Sequence, residues 1–486
     1  MRESGMLLHI TSLPEKGGIG TLGGAAYEFV DFLREAGMKI WQVLPVGPTG
    51  YGESPYQSAS TYAGNPLLID LKTLEKDGIL PAGAFEELPD GDQADFDAVR
   101  ASKEKALRLA FAHDPMDAER AEFLRQNKWA ADYALFMALK QHFGGGSWQE
   151  WPEELRLREP LTLQKFRDEL KNEIAYHIFV QVLFFRQWFA LRKYANERGV
   201  KLFGDMPIYV AEDSSDVWAN PQYFQLDADR RPIRVAGVPP DYFSEDGQLW
   251  GNPLYDWETL KRRKFDWWMD RLRGMSRLYD MIRIDHFIGF ANYYSIPYGA
   301  KNARVGAWVL APGKELFKRA KYEVPGLTVI AEDLGELTNR VRRLRDWCGF
   351  PGMKVLGFAF DGGEENIHRP EHYPVNAIAY TGTHDNDTAL GFWEKATEEQ
   401  KKSATEQLRL RPGDDVVGKM IECVFSTPPE RVVIPMQDFL RLGGAARMNL
   451  PGTVGGNWGW RMTEKAPDSV KEEIKELIAR YDRAGG

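Results

Sequence analysis

The chain is short of cysteine, of excess positive charge and of long apolar runs, and each shortage closes off a class of protein. Its two cysteines, Cys348 and Cys423, stand far apart in 486 residues. With no CxxC pair, neither a zinc site nor a disulfide scaffold is indicated, and two reduced thiols fit a cytoplasmic protein. The formal net charge is −9, whereas binding nucleic acid calls for a basic face. No uninterrupted apolar stretch approaches the roughly 20 residues that span a bilayer. The N-terminal apolar run is interrupted by His9 and lacks the core of a signal peptide. Nucleic acid and membrane are therefore not expected partners, and the cytoplasm is the expected location.

What remains is an ordinary globular composition, 43% hydrophobic and 27% charged. Eight strand-like runs recur along it: Gly5–Ile10, Lys39–Leu44, Lys201–Ile208, Met281–Asp285, Leu327–Glu332, Met353–Phe360, Ala377–Thr383 and Arg431–Gln437. Helical patterns lie before or between most of them, an alternation that argues for parallel pairing. The fold class predicted is α/β, a (β/α)8 TIM barrel with large helical and loop insertions, residues 1–486 forming a single catalytic barrel. An open doubly wound sheet is the alternative. The gap between the second and third runs is too long for a plain connection. It reads as an inserted, mainly helical subdomain over residues 67–167, followed by a helix near Asp168–Arg198 that stops at Gly199. A second interruption, residues 209–257, is rich in Pro, Gly, Asp and aromatics and reads as a long loop region covering the active site.

Three of the runs end in acid: Asp285-His286, Glu332-Asp333 and Thr383-His384-Asp385. In a parallel barrel the C-terminal strand ends share the face that carries the chemistry, and carboxylates meeting there suit cleavage of a glycosidic bond. Alternation puts Arg283 and Asp285 on one face and Ile282 and Ile284 on the other. The cation either keeps Asp285 ionised for nucleophilic work or forms a plain structural ion pair. Alternation lets only one of Glu332 and Asp333 point inward, and patterning does not choose between them. The cluster Thr381–Asp387 suits sugar hydroxyls; its Asp-x-Asp alone is weak as a metal site. Asp205, near the end of the third run, serves either a sugar or a turn. Aromatics make up 12% of the chain, so loop rings (Tyr51, Tyr56, Tyr242, Phe243, Trp250, Trp458) are candidate sugar platforms, while Trp267 and Trp268 fall in a helical stretch and read as core. Gly18-Ile19-Gly20-Thr21-Leu22-Gly23 matches G-x-G-x-x-G but does not directly follow a strand, so a nucleotide site is not supported.

Longer segments carry a resemblance: Leu44 to Ser58, Gly204 to Val210, Pro239 to Phe243, Arg283 to Phe287, Ala331 to Gly335, Thr381 to Asp387 and Gly456 to Trp458. Together they resemble the amylomaltase, or disproportionating-enzyme, family of 4-α-glucanotransferases within the α-amylase-type barrel clan, and they run through essentially the whole chain. The resemblance implies a retaining mechanism with Asp285 as nucleophile, Glu332 as acid and base, and Asp385 as a clamp on the sugar, beside His384. It implies substrate contacts from Ser54, Tyr56, Asp205, Arg283, Tyr242, Phe243, Trp250 and Asn457. It implies α-1,4-glucans and maltooligosaccharides as substrates, with no cofactor and no metal. The segment Val238–Tyr255 resembles the family's lid, and with Arg447–Trp460 it is expected to favour transfer over hydrolysis. One departure is Ile288, where the family commonly has Arg. A hydrolase on the same scaffold and a non-catalytic glucan-binding protein are the other readings; the presence of all three acids speaks against the second.

Overall fold

The computed structural model describes residues 2–240, 245–335 and 337–485. Among them are twelve strands: β1 (Glu3–Leu7), β2 (Ile40–Gln42), β3 (Lys201–Pro207), β4 (Arg234–Val238), β5 (Gln248–Pro253), β6 (Met281–Asp285), β7 (Asn292–Pro297), β8 (Ala307–Leu310), β9 (Thr328–Ala331), β10 (Gly352–Val355), β11 (Ala377–Tyr380) and β12 (Arg431–Pro435). Eight form one sheet in the order β10-β11-β12-β1-β2-β3-β6-β9, and every pairing in it is parallel. These eight overlap the apolar runs of the sequence, mostly trimmed at their ends, though β1 begins two residues before its run and β10 one. Both faces of such strands are covered, which is why Ile282, Ile284, Val432 and Val433 are fully buried.

The edge strands β9 and β10 close the sheet into a barrel through one backbone bond, Ala331 N–H to the Pro351 carbonyl at 2.9 Å. Asp333 stitches the same seam. It accepts the Met353 N–H at 2.8 Å and the Arg345 Nη1 at 2.5 Å. A Cβ on Gly352 would lie 2.4 Å from its Oδ2, so only glycine admits the carboxylate there.

Residues 71–169 hold a series of short and medium helices, among them Phe96–His113, Asp117–Gln126 and Trp129–His142. They pack on the long helix Lys171–Glu197 through rings such as Phe111 on Phe179 and Phe123 on Phe185. That helix is apolar and long enough to cross a membrane, but 67% of the apolar stretch is buried inside the molecule, as befits a core helix. Two of its glutamines grip backbone: Gln181 exchanges two bonds with Gly64 and Gln187 two with Asp70. A buried side-chain amide satisfied in both directions fixes the segment that leads from β2 toward the helices.

The region 209–257 departs from a plain loop. It contains β4 and β5, which join β7 and β8 in a separate antiparallel sheet, order β5-β4-β7-β8. Its prolines and glycines hid these strands. Gly237 sits at a register shift between β4 and β5, where a Cβ would lie 2.2 Å from the Gln248 carbonyl oxygen. Trp267 and Trp268 are core residues, as expected.

Candidate active site

The C-terminal ends of β3, β6 and β9 place Asp205, Arg283, Asp285 and Glu332 on one rim of the barrel. Arg283 is 3% exposed and bridges two carboxylates: its Nε donates to Asp205 Oδ2 at 2.8 Å and its Nη2 to Asp285 Oδ1 at 2.6 Å. The register β3–β6 sets Asp205 opposite Arg283, so their pairing follows from the strands themselves. The Tyr56 hydroxyl donates to Asp205 Oδ2 at 2.8 Å and also lies 2.8 Å from His384 Nε2. Its ring stacks on His384 at 5.3 Å. The chain of contacts Asp285–Arg283–Asp205–Tyr56–His384 thus links residues from four separate stretches of sequence. Burial works against the Arg283 charge, yet Asp205 and Asp285 on either side hold its pKa well above the ordinary value.

Glu332 is held differently. Its Oε2 accepts the His286 N–H and its Oε1 the Leu334 N–H, both at 2.8 Å. His286 takes the left-handed conformation (φ 51°), a costly choice for a residue with a Cβ. Its N–H is spent on the Glu332 carboxylate. Burial raises the Glu332 carboxyl to about 7, with Arg283 and the two N–H donors acting the other way. Burial also raises Asp285, against the pull of Arg283 and with repulsion from Asp205, Glu332 and Asp385. The neighbouring Asp333 points to the barrel seam and the Arg345 side chain, so the strand end separates the two adjacent acids that patterning left open.

Asp385 follows β11 and is 40% exposed at its side chain. Its Oδ2 lies 3.4 Å from His384 Nε2 and its Oδ1 accepts from Asn449 Nδ2 at 2.7 Å. Burial lowers the pKa of His384, and that of His9 behind it to about 3, so both are neutral rings near neutral pH.

The remaining candidates spread around this rim. Trp250, on β5, stands edge-on to His286 at 4.8 Å. Trp458 packs against Tyr56 and His384 at 5.8 and 6.1 Å. The Ser54 hydroxyl accepts the Tyr56 N–H at 3.3 Å, shaping the turn that presents Tyr56. Asn457 bonds within its own loop, to Leu450 and Thr453. Tyr242 and Phe243 lie outside the described residues, as does the Tyr51 side chain. Ile288 is buried, 7% exposed, in apolar surroundings. Sequence reading named the segment Arg447–Trp460 as favouring transfer but did not single out Asn449, which with Arg447 touches Asp385 from this Pro- and Gly-rich loop.

A parallel barrel with carboxylates gathered at its strand ends is the architecture of a (β/α)8 enzyme. The pattern of the 4-α-glucanotransferase family matches residues 8–466; the 4-α-glucanotransferases of Clostridium butyricum (45% identical over 488 residues, 99% of each chain) and Synechocystis sp. (47% over 495 residues, 99% of this chain and 98% of that one) are similar throughout. A solved amylomaltase from Streptococcus agalactiae, in complex with acarbose, is similar at a TM-score of 0.96 and 42% identity, covering 99% of this chain and 100% of that one. The chain belongs to the 4-α-glucanotransferase family and is an enzyme that transfers glucan segments; these relatives favour transfer over the hydrolase reading.

Proposed function

We propose that transfer proceeds by a retaining double displacement on α-1,4-glucans and maltooligosaccharides. The Asp285 carboxylate attacks the anomeric carbon while Glu332 gives its proton to the glycosidic oxygen. The bond breaks, the shorter glucan leaves with a free 4-hydroxyl, and a β-glucosyl ester on Asp285 remains. The 4-hydroxyl of an acceptor then enters, the Glu332 carboxylate takes its proton, and the ester is displaced to give a new α-1,4 bond. Asp385, with His384, holds hydroxyls of the sugar being transferred. Tyr56, Asp205 and Arg283 are the supporting network, with Ser54, Trp250, Asn457, Tyr242 and Phe243 as further substrate contacts.

One observation carries this reading: the two carboxylates are wired unequally. Asp285 has the buried Arg283 guanidinium at 2.6 Å, which favours its ionised form. Glu332 is bonded only to backbone donors, and burial lifts it to about 7. Burial raises both carboxyls, but only Asp285 has a bonded cation opposing it, and this difference in partners is what divides them into nucleophile and acid. The S. agalactiae relative's complex with acarbose supports oligosaccharide substrates. Residues 1–486 are read as one catalytic barrel, 67–167 as an inserted helical subdomain and 209–257 as cover for the site, in a cytoplasmic protein whose two thiols are unpaired.

The roles separate with an activated donor such as α-maltosyl fluoride, whose leaving group needs no proton. Glu332→Gln is expected to lose roughly 10²- to 10⁴-fold on maltotriose while still reacting with the fluoride in the first step. Asp285→Asn is expected to fail on both donors. Equal impairment of Glu332→Gln on the two donors counts against its role as acid.

A further inference from the structure

Asp385 is carried beyond the end of β11 in an irregular turn, where Thr383 and Asn386 bond each other. No barrel strand therefore backs its carboxylate. What grips it comes from a distant segment. Asn449 Nδ2 donates to Asp385 Oδ1 at 2.7 Å, and Arg447 Nη2 donates to the Asp385 carbonyl at 2.6 Å. The Asn449 N–H donates to the His384 carbonyl at 3.1 Å, and Arg447 Nε to the Asn449 carbonyl at 2.6 Å. Residues 447–449 are thus laced to His384 and Asp385 by both backbone and side chain. Beneath them a cavity of about 20 Å³, lined by His9, Thr383, His384, Gln437, Arg447 and Met448 among others, leaves room for about one water.

The segment continues directly into a self-contained loop. Leu450 N–H donates to Asn457 Oδ1 at 3.0 Å, Asn457 Nδ2 donates to Thr453 Oγ1 at 3.1 Å, and Trp458 N–H returns to the Met448 carbonyl at 2.7 Å. Leu450 and Val454 on this loop are 46% and 67% exposed. Val454 approaches Gly52, in the turn leading to Tyr56: a Cβ there would stand 3.6 Å away. The loop, internally bonded, thus lies beside the turn that leads to Tyr56 and is tied to Asp385 at its base.

We propose that Arg447 and Asn449 are positioning residues for glucan transfer: they join the 450–457 loop to the Asp385 carboxylate, so that an acceptor glucan touching the loop steadies the group that holds the transferred sugar. This rests on the reading of Asp385 as a sugar clamp. Water, which makes no lasting contact with the loop, gains nothing from the link. The link therefore favours transfer over hydrolysis. The charged and titratable groups facing Asp385 are His384, Arg447, Tyr56 and Asp285.

Asn449→Ala is expected to lower kcat on maltotriose by about 10- to 100-fold, the cost of a carboxylate misplaced by an ångström or so, with little change in KM and a larger share of hydrolysis. Asn449→Asp keeps the shape but sets a second carboxylate against Asp385 Oδ1. The pair then shares a proton, so activity should persist at low pH and fall as pH rises, on a limb displaced from the parent's. A purely structural role leaves that limb in place. If Asn449→Ala does not fold, as thermal unfolding will show, Asn449→Asp carries the test. Unchanged kcat and product partition in Asn449→Ala, or a parent-like pH profile in Asn449→Asp, overturns the proposal. Asp385→Asn distinguishes the failures. Full activity there removes the clamp reading itself; inactivity there beside an intact Asn449→Ala removes only the link.

Discussion

Asp285, at the end of β6, and Glu332, just past the neighbouring β9, stand on adjacent strands of one barrel rim, but their carboxyls are held by opposite means. Asp285 sits at the end of a chain of contacts, Arg283, Asp205, Tyr56 and His384, in which each member bonds the next, while Arg283 and Asp205 are buried. Glu332 has only two backbone N–H donors and forms no ion pair among the described residues. A formal cation beside a carboxylate favours its ionised form, here in opposition to the burial that raises Asp285. Backbone donors fix a carboxylate's direction while letting burial lift its pKa. Two carboxyls, one strand apart, are thereby placed in unlike surroundings, which suits the two tasks proposed for them. Asp333, next to Glu332, shows a third outcome. With Arg345 and the Met353 N–H around it, it is structural and closes the barrel.

The contrast breaks most sharply at Arg283. Arg283→Lys cannot reach Asp205 and Asp285 with separate guanidinium arms, so kcat should fall by about 10²-fold. The acid limb of the rate profile should move to higher pH as Asp285 loses its guanidinium bond. Steady-state kinetics against pH read both effects. Next comes Glu332 itself. Its folded pKa is raised, so the proton needed in the first step is held up to about pH 7, and kcat/KM on maltotriose should decline as pH rises through that value. The same shift makes the folded protein bind the proton more tightly than the unfolded chain does, so this group's contribution to stability also falls as pH rises above the usual carboxyl range. In Glu332→Gln, with the fluoride donor, the alkaline limb should disappear. The smallest effect on chemistry is expected at the seam. Arg345→Ala leaves Asp333 partly unpaired, costing about 1–3 kcal/mol of stability and lowering Tm, with kcat nearly unchanged. A large loss of kcat there would mean that the seam and the site are not separable.

The barrel was readable because parallel strands, covered on both faces, are written as continuous apolar runs; β6 and its Arg283–Asp285 spacing appear in the sequence as they do in the structure. The antiparallel sheet was not. Its β4 carries Arg234 and Gly237, its β8 is exposed along its length, and β4 finds its partner β7 only after β5 and β6 have intervened. Alternation placed Arg283 and Asp285 together but failed at Glu332 and Asp333, because β9 ends at Ala331 and parity beyond a strand end is no longer fixed. The resemblance pointed to Glu332, and the geometry sends Asp333 to Arg345. Asn449 had no pattern to betray it: a polar residue in an irregular loop gains meaning only when the fold brings it to Asp385.

The central claim is that Asp285 carries the transferred glucan while Glu332 handles the proton. Mass spectrometry of Glu332→Gln after incubation with α-maltosyl fluoride tests it most directly, since the slowed second step lets the ester accumulate. The account predicts one glycosyl group, on the peptide containing Asp285. A label on the peptide containing Asp205 or Asp385, or turnover of the fluoride with no covalent species at any time, would contradict it.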